Sequence, residues 1–205
     1  MYIPRINQEN DLETLQNFMQ SHNFAILVNE HDKQLTATHV PLLLDRTRGK
    51  YGTLIGHLAR ANKQWKSFND DDVLIIFNGP HAYISPTWYE NHPSVPTWNY
   101  ATVHAYGVPQ LIEEPKAVDH ALHALVENHE QHRDPEWIMN LPDDYMDTMR
   151  KAIVAFQIEI TRLEGKFKLS QNKTDNEKRN VISELLQSDY ADDVATGELM
   201  QTYFE

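Results

Sequence analysis

The stretch Gly56-His57-Leu58-Ala59-Arg60-Ala61-Asn62-Lys63-Gln64-Trp65 places two cations three residues apart, where an apolar run gives way to a helix-like one. A strand running into a helix offers free backbone N–H groups, and Arg60 and Lys63 add positive charge to them, which is the chemistry that holds a phosphate. A solvated turn with a basic edge accounts for the same residues equally well. A second group is aromatic. Tyr83-Ile84-Ser85-Pro86-Thr87-Trp88-Tyr89 and Val95-Pro96-Thr97-Trp98-Asn99-Tyr100 set rings beside proline-fixed turns, and three of the four tryptophans fall between Trp65 and Trp98. Such rings suit a flat conjugated ligand, and they also suit ordinary core packing. The pairs His120/His123 and His129/His132 have a spacing at which a helix can hold a metal. His129-Glu130-Gln131-His132 is one residue shorter than the zinc-protease pattern, and the simpler reading is solvated surface, so no metal is expected. The sequence contains no G-x-G-x-x-G, P-loop, G-x-S-x-G or H-E-x-x-H. It has no cysteine, which removes disulfides, thiolate metal sites and cysteine nucleophiles.

These residues must be positioned by elements whose pattern is mostly extended. Leu12, Leu15, Phe18 and Met19 recur at helical spacing and predict a short amphipathic helix over 11–20. Runs over 24–29 and 35–44, separated by polar residues 31–34, predict a hairpin. Pro41 within the second run removes a backbone donor and points to an edge, a bulge or a ligand-facing position. Further strands are predicted over 51–58, 73–78 and 81–85, the last two separated by a turn at Asn78-Gly79-Pro80, with a short helix over 59–68. A long alternating strand runs over 97–113, bent near Gly107 to Pro109. Helices follow Pro115 and Pro142, alternation returns over 156–163, and two terminal helices cover 175–187 and the acidic tail from Asp189. About six strands interrupted by helices argue for an α+β fold, an antiparallel barrel with peripheral helices, and against alternating βαβ units.

The chain has 205 residues with no linker-like stretch, enough for one sizeable core. Neither a signal-like leader nor an apolar run approaching about 18 residues is present, so the expected location is cytoplasmic, with no membrane contact. Eighteen Lys and Arg stand against 30 Asp and Glu, a net charge of −12. Nucleic-acid affinity rests on neutralising phosphates with basic side chains, so this balance argues against a direct DNA-binding face.

Five blocks in order carry a resemblance: Met1-Tyr2-Ile3-Pro4, Gly56 to Asn62, Gly79-Pro80-His81-Ala82-Tyr83-Ile84-Ser85-Pro86, Val95 to Tyr100, and Leu163-Glu164-Gly165-Lys166-Phe167-Lys168-Leu169-Ser170-Gln171-Asn172. Together they resemble the PaiB family of FMN-binding negative transcriptional regulators over nearly the whole chain. Lys63 departs from a position where that family often carries proline. The resemblance implies an antiparallel split β-barrel related to pyridoxamine phosphate oxidases. The barrel would occupy residues 1–172 with a helical insertion at about 115–155, followed by a helical extension over 173–205. It also implies a homodimer, bound FMN, and repression of protease production and sporulation.

By the same resemblance, Thr38 and His39 on the second hairpin strand and His57, Ala59, Arg60, Asn62 and Lys63 would line the FMN, with Arg60, Asn62 and Lys63 at its phosphate. Trp98 or Trp88 would cover the ring system. Lys168 and Gln171 would meet the pyrimidine edge or the dimer seam. Because the charge opposes operator binding, regulation would run through a protein partner or small-molecule chemistry. The alternative is a flavin-dependent oxidoreductase of the same barrel, for which His57, His81 and His104 are candidate proton donors, although each also reads as a satisfied structural residue. The sequence assigns no catalytic residue.

Overall fold

The computed structural model describes residues 1–31, 33–68 and 71–204. In chain order the elements are β1 (Gln8–Glu9), α1 (Leu12–Ser21), β2 (Phe24–His31), β3 (Gln34–Pro41), β4 (Leu43–Asp45), β5 (Thr53–Ala59), β6 (Val73–Ile84), β7 (Thr97–Gly107), β8 (Pro109–Ile112), α2 (Pro115–Glu130), α3 (Asp143–Ala152), β9 (Ile153–Glu159), β10 (Arg162–Lys168), α4 (Asp175–Leu186) and α5 (Ala191–Phe204). The chain forms two compact units, one of residues 1–11, 78–103 and 164–205, the other of residues 12–77 and 104–163. Strands β6 and β7 contribute residues to both.

In the second unit, α1 buries Leu15, Phe18 and Met19 of the stripe its spacing predicts, while Leu12, in its first turn, is exposed. Strands β2 and β3 form an antiparallel hairpin, in register from Phe24↔Pro41 to His31↔Gln34. The expected turn between them includes residue 32, which lies outside the described residues. β3 is an edge strand that ends at Pro41, where a missing N–H is tolerated. The start of β6 pairs with the other side of β2. A second antiparallel sheet has the order β4-β5-β9-β8. Leu54 of β5 and Phe156 and Ile158 of β9 are fully buried in the core of this unit, as are Leu27 of β2 and Ile75 and Phe77 of β6.

The expected bend in the long strand falls between β7 and β8. Gly107 lies so close to the β9 backbone that a Cβ there would sit 2.2 Å from the Glu159 carbonyl oxygen. Pro115 opens α2 as predicted, with the Glu114 side chain capping the Ala117 N–H. Arg150 on α3 grips both carboxylate oxygens of Asp119 on α2, at 2.6 and 2.8 Å.

In the first unit the strand order is β1-β10-β7-β6, with β1 antiparallel to β10. Helix α4 opens on a reciprocal capping box between Thr174 and Glu177. α5 packs on α4 through Gly197, where a Cβ would lie 3.1 Å from Leu185 and Leu186 side-chain atoms. Phe167, Leu169, Val181, Leu185 and Met200 form the buried core of this unit.

Four local expectations differ from the structure. The run expected over 35–44 is divided between β3, in one sheet, and β4, in the other. Residues 73–78 and 81–85 are one continuous strand, and Asn78-Gly79-Pro80 runs extended through its middle. The helix expected over 59–68 is only a 3-10 turn over Lys63–Ser67, because β5 continues through Ala59 and Gln64 turns inward. The alternation expected over 156–163 resolves into β9 and the start of a further strand, β10.

Candidate functional site

The segment after β5 is organised by a closed ring of hydrogen bonds. The Asn62 amide donates to Thr38 Oγ1 at 2.9 Å, Thr38 Oγ1 donates to Gln64 Oε1, and the Gln64 N–H donates back to Asn62 Oδ1 at 3.0 Å. Gln64 is 4% exposed, and its amide nitrogen lies 2.8 Å from Asn29 Oδ1 and 3.2 Å from the carbonyls of Leu27 and Thr36. Ser67 closes the cluster, donating to the Gln64 carbonyl at 2.7 Å and accepting from the Asn29 amide at 2.9 Å. A buried amide is stable only when its donors and acceptors are met, and this network meets them while fixing the turn against β2 and β3. Sequence reasoning singled out Thr38 and Asn62 but missed Gln64 and Ser67, since a polar residue in a basic turn reads as solvated, and Asn29, a lone polar residue near the end of β2.

The turn is not a bare cradle of backbone donors. The N–H groups of Arg60, Asn62 and Gln64 are taken by the Ala152 carbonyl, the Ala59 carbonyl and the Asn62 side chain. What it presents outward is side-chain chemistry. Ala59, Arg60 and Lys63 are exposed. The Arg60 guanidinium donates to the carbonyls of Lys151 and Ile153 at 2.8 and 2.6 Å, and it lies 5.9 Å from the Trp65 ring centroid. Arg60 and Trp65 thereby enter the wall of a 540 Å³ cavity that also includes Arg150, Lys151 and Ile153.

His57 is on the opposite pleat of β5 from the core residues Leu54, Gly56 and Leu58. It lines a 290 Å³ cavity with Pro41, Leu125, Val126, His129 and Trp137. Its Nδ1 is buried without a hydrogen-bond partner, and burial lowers its pKa from the ordinary value. The ring is therefore held toward its neutral form with one nitrogen unsatisfied. His39, exposed on β3, stacks on Phe24 with ring centroids 6.0 Å apart.

Four of the expected residues belong to the first unit. Trp98 is half exposed and meets the rings of His81 and Tyr83, each at 6.0 Å. Trp88 ends the 3-10 turn Pro86–Trp88, and its carbonyl accepts from Asn180 at 3.4 Å. Lys168 donates to Thr97 Oγ1 and to the Trp98 carbonyl. Gln171 is used locally: its amide donates to the Phe167 carbonyl and its Oε1 accepts from the Leu169 N–H at 2.8 Å. Among the described residues no group of three or more His, Asp or Glu converges as a metal site, and no helix is long and apolar enough to cross a membrane.

Antiparallel sheets of this order, with helices at their margins, define the split-barrel class of flavin-binding folds. Solved structures of that class align with the chain: the FAD and heme binding protein from Mycobacterium smegmatis, with TM-score 0.61 and 13% identity, over 84% of this chain and 78% of that one. The flavocytochrome Anf3 from Azotobacter vinelandii aligns with TM-score 0.58 and 13% identity, over 81% and 72%. The chain belongs to the family described as "Putative FMN-binding domain", whose model matches residues 1–162, and FMN is the cofactor of that family. Among its relatives, Protease synthase and sporulation protein PAI 2 of Bacillus subtilis (strain 168) is 36% identical over 98% of this chain and 97% of its own length. An uncharacterized protein of Emericella nidulans is 28% identical over 89% of each.

The residues of the second unit fit such a group on two observations. His57 Nδ1 is a buried acceptor or donor without a partner. The segment after β5 combines an exposed ammonium, an exposed guanidinium and a hydrogen-bonded amide, a donor set suited to a phosphate.

Proposed function

We propose that this protein is an FMN-binding negative regulator acting on protease production and sporulation as a homodimer. The observation that carries the reading is the match to the Bacillus subtilis protein at 36% identity along nearly the full length of both chains. FMN would be held by the β3 and β5 residues: Lys63, Asn62 and Arg60 at the phosphate, with Thr38, His39, His57 and Ala59 along the body of the cofactor. FMN supplies reversible one- and two-electron chemistry when bound. The protein's part is to fix the phosphate with side-chain donors, to keep the turn rigid through Gln64, and to present a neutral imidazole at His57.

With a net charge of −12, regulation runs through a protein partner or a small molecule rather than through operator contacts. The test has two arms. The purified protein quenches FMN fluorescence on titration, and deletion of the gene raises extracellular protease output, restored by the wild-type gene but not by an Asn62→Ala, Lys63→Ala double variant. Full restoration by that variant would separate regulation from flavin. A steeply salt-dependent complex with promoter DNA would overturn the indirect mode.

A second reading is a flavin-dependent oxidoreductase, favoured by the unpartnered, neutral His57 beside an apolar cavity. Steady oxidation of a reduced nicotinamide by the FMN-loaded protein, with dioxygen or an added quinone taking the electrons from the flavin, and its loss in His57→Phe are the expected results under this reading.

A further inference from the structure

The first unit contains a cavity of 490 Å³, and of the residues expected at the flavin only Lys168 lines it. Its size lies within the usual range for small-molecule sites, about 300–1,000 Å³. It is lined by two lysines, Lys168 and Lys173, and by no Asp or Glu, in a chain with 30 acidic residues. Lys168 is pinned by Thr97 Oγ1 and the Trp98 carbonyl, both at 2.5 Å, which uses two of its three donors and fixes the direction of the third. Burial lowers the Lys168 pKa, with repulsion from Lys166 adding to it, so its ammonium lacks compensating charge. Lys173 lies 3.6 Å from the centroid of the Tyr89 ring, and Tyr89 is 5% exposed. Asn99, fully buried, fixes the floor by donating to Ser170 Oγ at 2.9 Å, and Ser170 adopts a left-handed backbone at φ 65 that non-glycine residues seldom occupy. Pro4, Ile6, Pro93 and Val95 supply apolar walls.

We propose that this cavity binds a small organic carboxylate with an apolar body, its carboxylate bridging Lys168 and Lys173 and its body lying among the prolines and Tyr89. The anion supplies counter-charge to two ammonium groups in a wall that carries no Asp or Glu, and the apolar walls distinguish it from an inorganic anion. The proposal stands on the first unit alone, and it takes Lys168 for this second ligand rather than for the flavin.

The test uses FMN-loaded protein titrated calorimetrically with benzoate, with its neutral isostere benzamide and with inorganic phosphate. Benzoate is expected to bind at least tenfold more tightly than either. Lys173→Gln should weaken benzoate at least fivefold with FMN affinity unchanged, whereas Lys173→Arg should stay within about threefold of wild type, which separates lost charge from lost fold. Equal binding of benzoate and benzamide, tighter binding of phosphate, or an unaffected Lys173→Gln variant would each overturn the proposal. Release of FMN in proportion to bound benzoate would overturn it too, by assigning the cavity to the flavin.

Discussion

Asn62 holds Thr38 with its amide nitrogen, at 2.9 Å, while its carbonyl oxygen caps the Gln64 N–H, at 3.0 Å. One side chain thus ties the end of the phosphate-type segment to the edge strand β3, and Gln64 anchors the arrangement in the core. Removing Gln64 should be more damaging than its polar, turn-borne character implies. Gln64→Leu leaves the carbonyls of Leu27 and Thr36 and the Asn29 amide oxygen short of a donor, at a cost of about 1–3 kcal/mol. Asn62→Ala loses a cap and the Thr38 contact, about 1 kcal/mol. Urea unfolding midpoints of the two variants check the order.

Arg60 and Lys63 should separate structure from ligand binding. Arg60 is bonded to the carbonyls at the junction of α3 and β9, so Arg60→Ala lowers the urea midpoint as well as any affinity for FMN. Lys63 is exposed, and Lys63→Ala should leave stability within about 0.5 kcal/mol of wild type. Its loss should weaken FMN roughly tenfold, the equivalent of about 1.4 kcal/mol, and riboflavin, which has no phosphate, hardly at all. Fluorescence-quenching titrations with both flavins read the difference; equal losses for the two would place Lys63 away from the phosphate.

The legibility of this fold follows the range of the interactions. Pro115 at the start of α2 and the residues Leu15, Phe18 and Met19 of the α1 stripe are local signals and appear where the sequence places them. Asn78-Gly79-Pro80 reads as a turn in the sequence, yet it lies inside β6, where pairing with neighbouring strands overrides local preference and Thr102 reaches Asn78 Oδ1 at 3.4 Å. Gln64 was illegible for the same reason, since its partners on β2 and β3 are 26 to 37 residues away in sequence. In the candidate site, positions 57 to 62 fall in an ordered block, whereas Thr38 and Lys63 lie outside the blocks and enter through the resemblance alone. The anchoring of Arg60 on the α3–β9 junction and the local use of Gln171 were not readable, because both depend on backbone carbonyls that no side-chain pattern announces.

Gly107 gives a sharper test of the bend between β7 and β8. A methyl group 2.2 Å from the Glu159 carbonyl oxygen and 2.8 Å from Ile158 Cγ2 cannot be accommodated by rotating a flexible side chain, so β9 must shift. Gly107→Ala should destabilise the protein by about 1–3 kcal/mol or more. Gly197→Ala meets only side-chain atoms, at 3.1 Å or beyond, and replaces glycine within a helix, so its penalty should be clearly smaller. Thermal midpoints of the two variants measured side by side provide the comparison.

His57 should leave a signature in the pH dependence of stability. Its folded pKa is lowered by burial from 6.5, so the folded chain takes up a proton less readily than the unfolded one. Its contribution is complete above about pH 6.5 and falls away as pH drops through that value toward the folded pKa, below which no further loss accrues. His57→Phe removes the titration and replaces the unpartnered Nδ1 with carbon in a cavity lined by Pro41, Leu125 and Val126. The variant should match or exceed wild-type stability at pH 7.5 and lose less of it at pH 5.5, the ten remaining histidines supplying the same background in both proteins. Urea midpoints at the two pH values measure this difference of differences. If wild type and variant fall in parallel, the imidazole is solvated in the folded state and its unpaired nitrogen is not a buried one.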